Sequence, residues 1–343
     1  MKTLVKPVCK EAVQQAAELI RAGELVGMPT ETVYGLGADA LNPDAVMKIF
    51  AAKGRPADNP LIVHISDMDQ VQPLVREIPD AARRLMEAFW PGPMTLILPK
   101  AACIPEAVSA GLDTVGIRLP ASEAARAQIR AAGRPIAAPS ANRSGKPSPT
   151  TAQHVYEDMQ GRIPLILDGG ACQVGVESSV IDATGETPVI LRPGGVTAEM
   201  VHSVLGRVLV DEHVMSPLGE GDVARSPGMK YKHYAAEAKT VIFEGEEESV
   251  TAAICAAYDT ALAQGERVAI LGFDEHDFGE RKRISLGSVH HPQDAAARLF
   301  AALRELDVRG ETLALCEAVG LEGIGLAVMN RMGRAAGFDI RRV

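Results

Sequence analysis

Strand-length apolar runs alternate with helical segments along most of the chain, and this alternation restricts the fold to the α/β classes. The apolar runs 61–65 and 94–99, for example, are separated by the helical segment 80–89. The stretch 178–195 contains two strand-like runs joined around Gly185, which predicts a hairpin. Strands and helices in this order indicate an α/β domain whose twisted sheet is mixed and partly antiparallel.

The alternation stops near residue 206 and resumes near residue 239. The intervening stretch, 207–238, is rich in glycine, proline and charge, and a connection of this length is either a linker or a functional lid. Residues 239–343 then form a new βαβ series with a Rossmann-like layout. We therefore expect a first domain over 1–206, a linker or lid over 207–238, and a smaller domain over 239–343.

Composition narrows the class of protein. The chain has 343 residues, 47% of them hydrophobic, and no apolar run approaches the roughly 18 residues that cross a bilayer. The N-terminus lacks the apolar core of a signal peptide, so we expect a cytoplasmic protein without a membrane partner. The net charge of −9 argues against coating nucleic acid as the main function. Five scattered cysteines without a CxxC pair predict reduced, mostly buried thiols.

One glycine motif is misleading. GLGADA (35–40) matches the dinucleotide-binding pattern, which requires a helix that begins inside the motif. Pro43 places the next helix start too late for that geometry. A phosphate site, if present, must be built in another way.

Short polar stretches at strand ends offer such a site. In an α/β domain the loops at strand ends gather around one crevice, and cations among hydroxyl groups are what a polyphosphate requires. Each residue also has a simpler interpretation: Lys53 and Arg55 could face water at a helix end, and His64 could be an ordinary core histidine. The cations of these stretches are Lys53, Arg55, Arg118, Arg143, Lys146 and Arg192.

The order of several motifs resembles the YrdC-like family, specifically its two-domain members, the threonylcarbamoyl-AMP synthases. The signature pairs are Lys53-Gly-Arg55 and Ser140-Ala-Asn142. The blocks PTETVYGLG, NPLIVH, ESSVID and LRPGG follow the family order, and SPGMKYKHYA (226–235) resembles its interdomain segment. The resemblance implies a YrdC-like first domain around a concave cleft and a small Rossmann-like second domain.

The resemblance also implies residue roles. Lys53 and Arg55 would be catalytic, and the linker with Tyr231 would act as a lid. The residues implied at ATP are Lys53, Arg55, Asn59, Thr114, Ser140, Asn142, Ser148, Arg192 and Tyr231. Those implied at L-threonine are Thr32, His64, Arg118, Ala138 and Ser178.

The implied activity is that of a nucleotidyltransferase. L-Threonine, bicarbonate or CO2, and ATP with Mg²⁺ would give L-threonylcarbamoyladenylate and pyrophosphate, with metal ligands that the sequence does not identify. The product would pass to a separate transferase acting on adenosine 37 of tRNAs that read ANN codons. One alternative stays open: a non-catalytic RNA-binding module, in which KYKHY makes a weak RNA contact. A carbamoyl-transfer enzyme of hydrogenase maturation is disfavoured, because the chain has neither the CxxC pairs nor the length of those proteins.

Overall fold

The computed structural model describes residues 1–216 and 234–343, which divide into two compact units. Unit 1 contains residues 1–144 and 148–216, and unit 2 contains residues 145–147 and 234–343. The expected role of Tyr231 and most of the expected lid lie outside the described residues. The domain limits expected from the sequence stay predictions.

Unit 1 is built on an eleven-stranded mixed sheet in the order β1-β8-β2-β3-β7-β4-β6-β5-β9-β10-β11. Its strands are β1 Leu4–Pro7, β2 Val26–Met28, β3 Gly35–Asp39, β4 Ile62–His64, β5 Met94–Pro99, β6 Thr114–Arg118, β7 Ile136–Ala137, β8 Leu165–Asp168, β9 Ser179–Asp182, β10 Val189–Arg192 and β11 Leu209–Val210. Its helices are α1 Lys10–Arg21, α2 Pro43–Lys53, α3 Asp80–Phe89, α4 Glu106–Ser109, α5 Glu123–Ala132, α6 Ala152–Met159 and α7 Ala198–Leu205, with 3₁₀ turns at Met68–Gln70, Gln72–Leu74 and Glu212–Val214.

Helices cover the two faces of this sheet unequally. The larger apolar core joins one face to helices α2, α3, α4, α6 and α7. On the other face, α1 and α5 pack on strands β2, β7 and β8 through a second core. Farther along that face, Ile62, Ile97, Val180 and Leu191 form a small apolar cluster that includes no helix residue. We call this part, over β4, β6, β5, β9 and β10, the helix-free face, with reference to the described residues.

Unit 2 is a parallel five-stranded sheet in the order β14-β13-β15-β12-β16. Its strands are β12 Lys239–Glu244, β13 Val268–Gly272, β14 Arg283–Ser285, β15 Leu313–Glu317 and β16 Ile340–Arg342, and its helices are α8 Glu247–Ala263, α9 Pro292–Arg309 and α10 Gly325–Ala336. The two sheets confirm the expected fold class. Across both described ranges, no helix is long and apolar enough to pass through a lipid bilayer.

The GLG motif lies in strand β3, which pairs antiparallel with β2. The glycines therefore do not begin a helix, and the rejection of a dinucleotide motif is confirmed. The expectation that the cysteines are mostly buried is wrong. Cys172 and Cys316 are buried, whereas Cys9 and Cys103 are exposed.

Candidate active site

Four strands bring side chains from distant parts of the sequence onto the helix-free face. In the parallel pair β4 and β6, His64 lies opposite Arg118, so their side chains leave the sheet on the same side. In β5, β9 and β10, Thr95 lies opposite Val180, which in turn lies opposite Arg192. Ile97 of β5 lies opposite Gly116 of β6, and this pairing aligns the β4–β6 pair with strands β5, β9 and β10. The sheet therefore presents His64, Arg118 and Thr95 on one face, and Arg192, which follows a register shift in β10, joins Thr95 there through Ser178.

Arg118 is the centre of the first polar cluster. It is buried at the end of β6, and its Nη1 donates to Thr32 Oγ1 at 2.9 Å. Its Nη2 pairs with Glu31 Oε1 at 2.6 Å, and Nε lies 3.4 Å from the carbonyl oxygen of Gly92. Thr32 is held in place because its amide donates to Thr30 Oγ1, which donates to the Val33 carbonyl. The implied threonine residues Thr32 and Arg118 thus touch each other.

His64 is a neutral imidazole next to this cluster. Burial, reinforced by the positive charge of Arg118, lowers the pKa of His64 to about 3. Within the described residues its Nδ1 has no hydrogen-bond partner. Ala138 lies alongside the same strand, where its amide donates to the Ile62 carbonyl at 2.9 Å. A buried ring nitrogen without a protein partner is available to a polar ligand.

Ser178 forms the second polar cluster with Thr95 and Arg192. Ser178 Oγ lies 2.8 Å from Thr95 Oγ1 and 3.2 Å from Arg192 Nη2, and its carbonyl accepts from Arg192 Nε at 3.0 Å. The RPGG turn makes this possible because a Cβ at Gly194 would lie 2.3 Å from the Ser179 amide nitrogen. Glycine therefore lets the Arg192 turn approach the backbone before β9.

Lys53 organises the loop that contains the second signature pair. Helix α2 begins at the Asn42 cap and Pro43 and ends at Gly54, which adopts the left-handed conformation. Lys53 Nζ donates to the carbonyls of Ser140 and Asn142, each at 2.5 Å. Ser140 Oγ in turn donates to Asn142 Oδ1 at 2.6 Å. These three implied ATP residues form one hydrogen-bonded unit.

Arg55 and Asn59 are joined in the same way. Arg55 Nη2 donates to the Asn59 carbonyl at 2.8 Å, and its guanidinium lies 5.7 Å from the centre of the Phe50 ring. Both Lys53 and Arg55 are buried, so the interpretation that they merely face water at a helix end is wrong. The Asn59 side chain is fully buried, and no described residue bonds to either of its amide atoms.

Thr114 and Ser148 occupy different surroundings. Thr114 lines a narrow, mainly apolar cavity on the helix-free face, and Ser148 is buried with its Oγ donating to Glu177 Oε1 at 2.5 Å. Glu177 directly precedes Ser178 in the sequence. Ser148 therefore contacts a sequence neighbour of the second cluster. The apolar residues of the cavity include Pro60, Leu61, Ile62, Ile97, Leu112 and Val180.

Three residues at the site were missed by sequence reasoning: Glu31, Thr95 and Glu177. Glu31 and Glu177 lie inside motifs that were singled out, PTETVYGLG and ESSV, but their partners are far away in sequence. Thr95 lies inside an apolar run and gave no signal. Within the described parts of the chain, no group of three or more His, Cys, Asp or Glu side chains is arranged to hold a metal.

Comparison with known proteins assigns both parts of the chain. A family model described as "Telomere recombination" (Sua5, YciO and YrdC proteins) matches residues 18–194. A second model, "Threonylcarbamoyl-AMP synthase, C-terminal domain", matches residues 196–337. The two models together span most of the sequence.

Full-length relatives agree with this assignment. The threonylcarbamoyl-AMP synthase of Pyrococcus abyssi is 48% identical over 96% of this chain and 95% of its own length. That of Bacillus subtilis is 47% identical over 96% and 94%, respectively. The crystal structure of P. abyssi Sua5 complexed with L-threonine superposes with a TM-score of 0.94 at 45% identity, covering 100% of this chain and 99% of that one. These matches confirm the resemblance carried by the motifs, and the chain belongs to the two-domain branch of the Sua5/YciO/YrdC family, the threonylcarbamoyl-AMP synthases.

Proposed function

We propose that this chain makes L-threonylcarbamoyladenylate from L-threonine, bicarbonate or CO2, and ATP, with release of pyrophosphate, on the helix-free face of unit 1. The observation that carries the proposal is the convergence of the Arg118 and Arg192 clusters on one face of the sheet. The names of the full-length relatives and the L-threonine complex of P. abyssi Sua5 support the choice of substrate.

The Arg118 cluster is suited to an amino acid. A guanidinium binds a carboxylate through two parallel hydrogen bonds, and each terminal nitrogen of Arg118 carries a second N–H beyond the contacts described above. His64 adds a neutral ring nitrogen, Thr32 and Ser178 add hydroxyl groups, and Ala138 adds a small apolar surface. L-Threonine has matching parts: a carboxylate, a hydroxyl and a methyl group.

The nucleotide is assigned to the remaining implied residues. Arg55 and Arg192 supply positive charge, and the buried Asn59 amide supplies one acceptor and two donors. Lys53 adds charge and holds the Ser140–Asn142 turn, while Ser148 brings a hydroxyl beside Glu177. Thr114 is assigned to the nucleotide from the family motif. Tyr231 is carried over from the family motif alone.

The reaction follows from positioning and charge. The amine of L-threonine adds to CO2 and loses a proton, which gives a carbamate. A carbamate oxygen then attacks the α-phosphorus in line, a P–O bond forms, and the bond to the pyrophosphate group breaks. Arg118 holds the amino acid, and Arg55, Lys53 and Arg192 reduce the repulsion between two anions that must approach each other. Mg²⁺ would enter on the nucleotide's phosphate oxygens and neutralise part of their charge.

The fate of the product is part of the proposal. A mixed anhydride of a carbamate and AMP hydrolyses readily, so a segment that excludes water helps to preserve it. We assign that role to residues 226–235, and faster loss of the adenylate after their deletion would support it. Handing the product to a separate tRNA threonylcarbamoyl transferase in the cytoplasm fits the same instability.

A pyrophosphate-release assay tests the proposal. Release should require ATP, L-threonine and bicarbonate together, and Lys53→Ala or Arg55→Ala should lower it roughly a hundredfold or more because each removes a buried positive charge. Lys48→Ala is the matched control, since Lys48 lies on the same helix but is exposed beside Glu24.

Release that ignores L-threonine would contradict the substrate assignment. RNA binding that persists while ATP and L-threonine fail to bind would instead favour the non-catalytic RNA-binding alternative.

A further inference from the structure

A buried carboxylate lies against the arginine assigned to the amino acid. The side chain of Glu31 is 9% exposed, and its Oε1 is 2.6 Å from Arg118 Nη2, whose side chain is 4% exposed. Burial favours the neutral acid, but the charge and hydrogen bond of Arg118 prevail and lower the pKa of Glu31 below its ordinary value. At neutral pH the two form a buried ion pair.

We propose that Glu31 is a positioning residue that fixes the Arg118 guanidinium for the carboxylate of the amino-acid substrate. This inference rests on the proposed function, because it gives the Arg118 cluster a substrate to bind. Glu31 itself does not touch the reacting atoms. It acts by limiting the orientations available to Arg118.

The anchoring of Glu31 supports this role. Its Oε2 accepts from the Ser122 amide at 3.3 Å, at the first residue before helix α5. Ser122 is in turn fixed, because its Oγ lies 3.0 Å from the Pro29 carbonyl oxygen and caps the amide of Ala125 at 3.3 Å. A carboxylate at a helix N-terminus is stabilised by the helix dipole. A chain of contacts therefore runs from α5 through Glu31 to Arg118.

The contacts at Arg118 fix the orientation of its guanidinium group. Glu31 and Thr32 hold the two terminal nitrogens of the guanidinium, and the Gly92 carbonyl lies near Nε. Three contacts in different directions fix the plane of the group. The second N–H on each terminal nitrogen then keeps a set direction without a loss of side-chain entropy on binding.

If Glu31 had the opposite role, its replacement would change the KM for L-threonine in the opposite direction. A carboxylate already bound to Arg118 could compete with the substrate carboxylate and weaken its binding. Under that alternative, removal of the charge would lower the KM for L-threonine. Under positioning, the same change raises it, because Arg118 loses its orientation and its buried charge loses a partner.

The experiment compares Glu31→Gln, Glu31→Asp and wild type in threonine-dependent pyrophosphate release. We expect Glu31→Gln to raise the KM for L-threonine roughly tenfold to a hundredfold. The KM for ATP should stay within about twofold, since among the described residues Glu31 contacts none that is assigned to the nucleotide. Glu31→Asp keeps the charge at a shorter reach and should recover part of the loss. Glu123→Gln, an exposed carboxylate at the start of α5, is the matched control and should change neither KM.

The outcomes separate this inference from the proposed function. If wild-type release does not depend on L-threonine, the proposed function fails. If release depends on it but Glu31→Gln leaves the KM for L-threonine unchanged, or lowers it, positioning by Glu31 is wrong. An equal rise in both KM values, without recovery by Glu31→Asp, would show a general structural role and also overturn the inference.

Discussion

The two sheets of this molecule both bury a histidine among charged groups, but they treat its polar atoms differently. In unit 1, His64 lies beside Arg118, and its Nδ1 has no partner among the described residues. In unit 2, both ring nitrogens of His276 face carboxylates: Nδ1 contacts Glu317, and Nε2 lies 3.5 Å from Glu247. The difference separates a ring nitrogen that no described residue contacts from a ring whose two nitrogens both lie beside the protein's own carboxylates.

His276 follows strand β13, near the carboxyl ends of β13 and β15. Strands β13 and β15 are neighbours, but the chain leaves β13 toward β14 on one side and leaves β15 toward β16 on the other. The carboxyl ends of such a pair are where open parallel sheets usually bind ligands. Here Glu317 accepts the Phe273 amide at 2.6 Å and contacts His276. The protein's own carboxylates already contact the His276 ring, so a Rossmann-like layout does not by itself imply a nucleotide there.

The first prediction tests whether the His276 pair is purely structural. His276→Ala should lower the free energy of unfolding of unit 2 by about 3 kcal/mol, because Glu317 is 2% exposed and would lose its hydrogen-bond partner. Burial already raises the pKa of Glu317, so the remaining carboxylate would be poorly tolerated. Amide hydrogen exchange in β13 and β15 measures the change locally.

Glu247→Gln is the control for that change. Glu247 is 69% exposed at its contact with His276, and we expect an effect below about 0.5 kcal/mol. If His276→Ala raises the KM for ATP or L-threonine while the protein remains folded, the purely structural role of the pair is wrong. In that case the pair would belong to a functional site.

Most regular elements could be predicted from local patterns. The segments expected over 80–89 and 94–99 are observed with these bounds as α3 and β5, since apolar runs of helical and strand spacing mark them. Strand β3 was missed because its glycines resemble a loop, and only its pairing with β2 and β7 makes it a strand. Strand β7 is only two residues long, and a few residues later the carbonyls of Ser140 and Asn142 accept from Lys53.

Only the site residues that lie in family motifs could be predicted from the sequence. The family resemblance singled out Lys53, Arg55 and Arg118 as candidates, but local sequence gave no reason for Lys53 to be buried. Its partners lie 87 and 89 residues away, and such contacts depend on the complete sheet. Glu31 and Thr95 were missed for the same reason: their roles come from partners that the fold supplies.

The second prediction uses pH to test the neutral state of His64. The folded pKa of about 3 lies below the ordinary value of 6.5, so the unfolded chain binds the extra proton first as pH falls. Stability is therefore lost as pH decreases below about 6.5, by about 2 kcal/mol between pH 7 and pH 5. Denaturant unfolding followed by the fluorescence of Trp90, the single tryptophan, reports on unit 1.

His64→Gln should remove that part of the pH dependence. His202→Gln, at an exposed histidine of helix α7 in the same unit, should leave it in place. Equal pH dependence in wild type and His64→Gln would show that folding does not lower the pKa of His64. The contrast with His276 would then lose its basis.

The third prediction concerns the buried amide of Asn59, whose replacement should increase stability but weaken the binding of ATP. Asn59→Leu replaces an unpartnered polar group by an apolar one of similar size, so the free energy of unfolding should rise by about 1 kcal/mol. The backbone carbonyl of Asn59 that accepts from Arg55 is unaffected by the change. The same substitution should raise the KM for ATP roughly tenfold, because the nucleotide would lose its hydrogen-bond partner.

Gln128 supplies the control for this pair of effects, because its two amide atoms are also buried without a partner among the described residues. It lies on helix α5 outside the residues assigned to ATP, so Gln128→Leu should increase stability to a similar extent without changing the KM for ATP. If both variants gain stability and only Asn59→Leu loses ATP affinity, an unpartnered amide indicates a ligand only where other binding groups surround it. If Asn59→Leu destabilises the protein and leaves the KM for ATP unchanged, the amide is satisfied by something other than the nucleotide, and the distinction drawn between the two sheets fails at this residue.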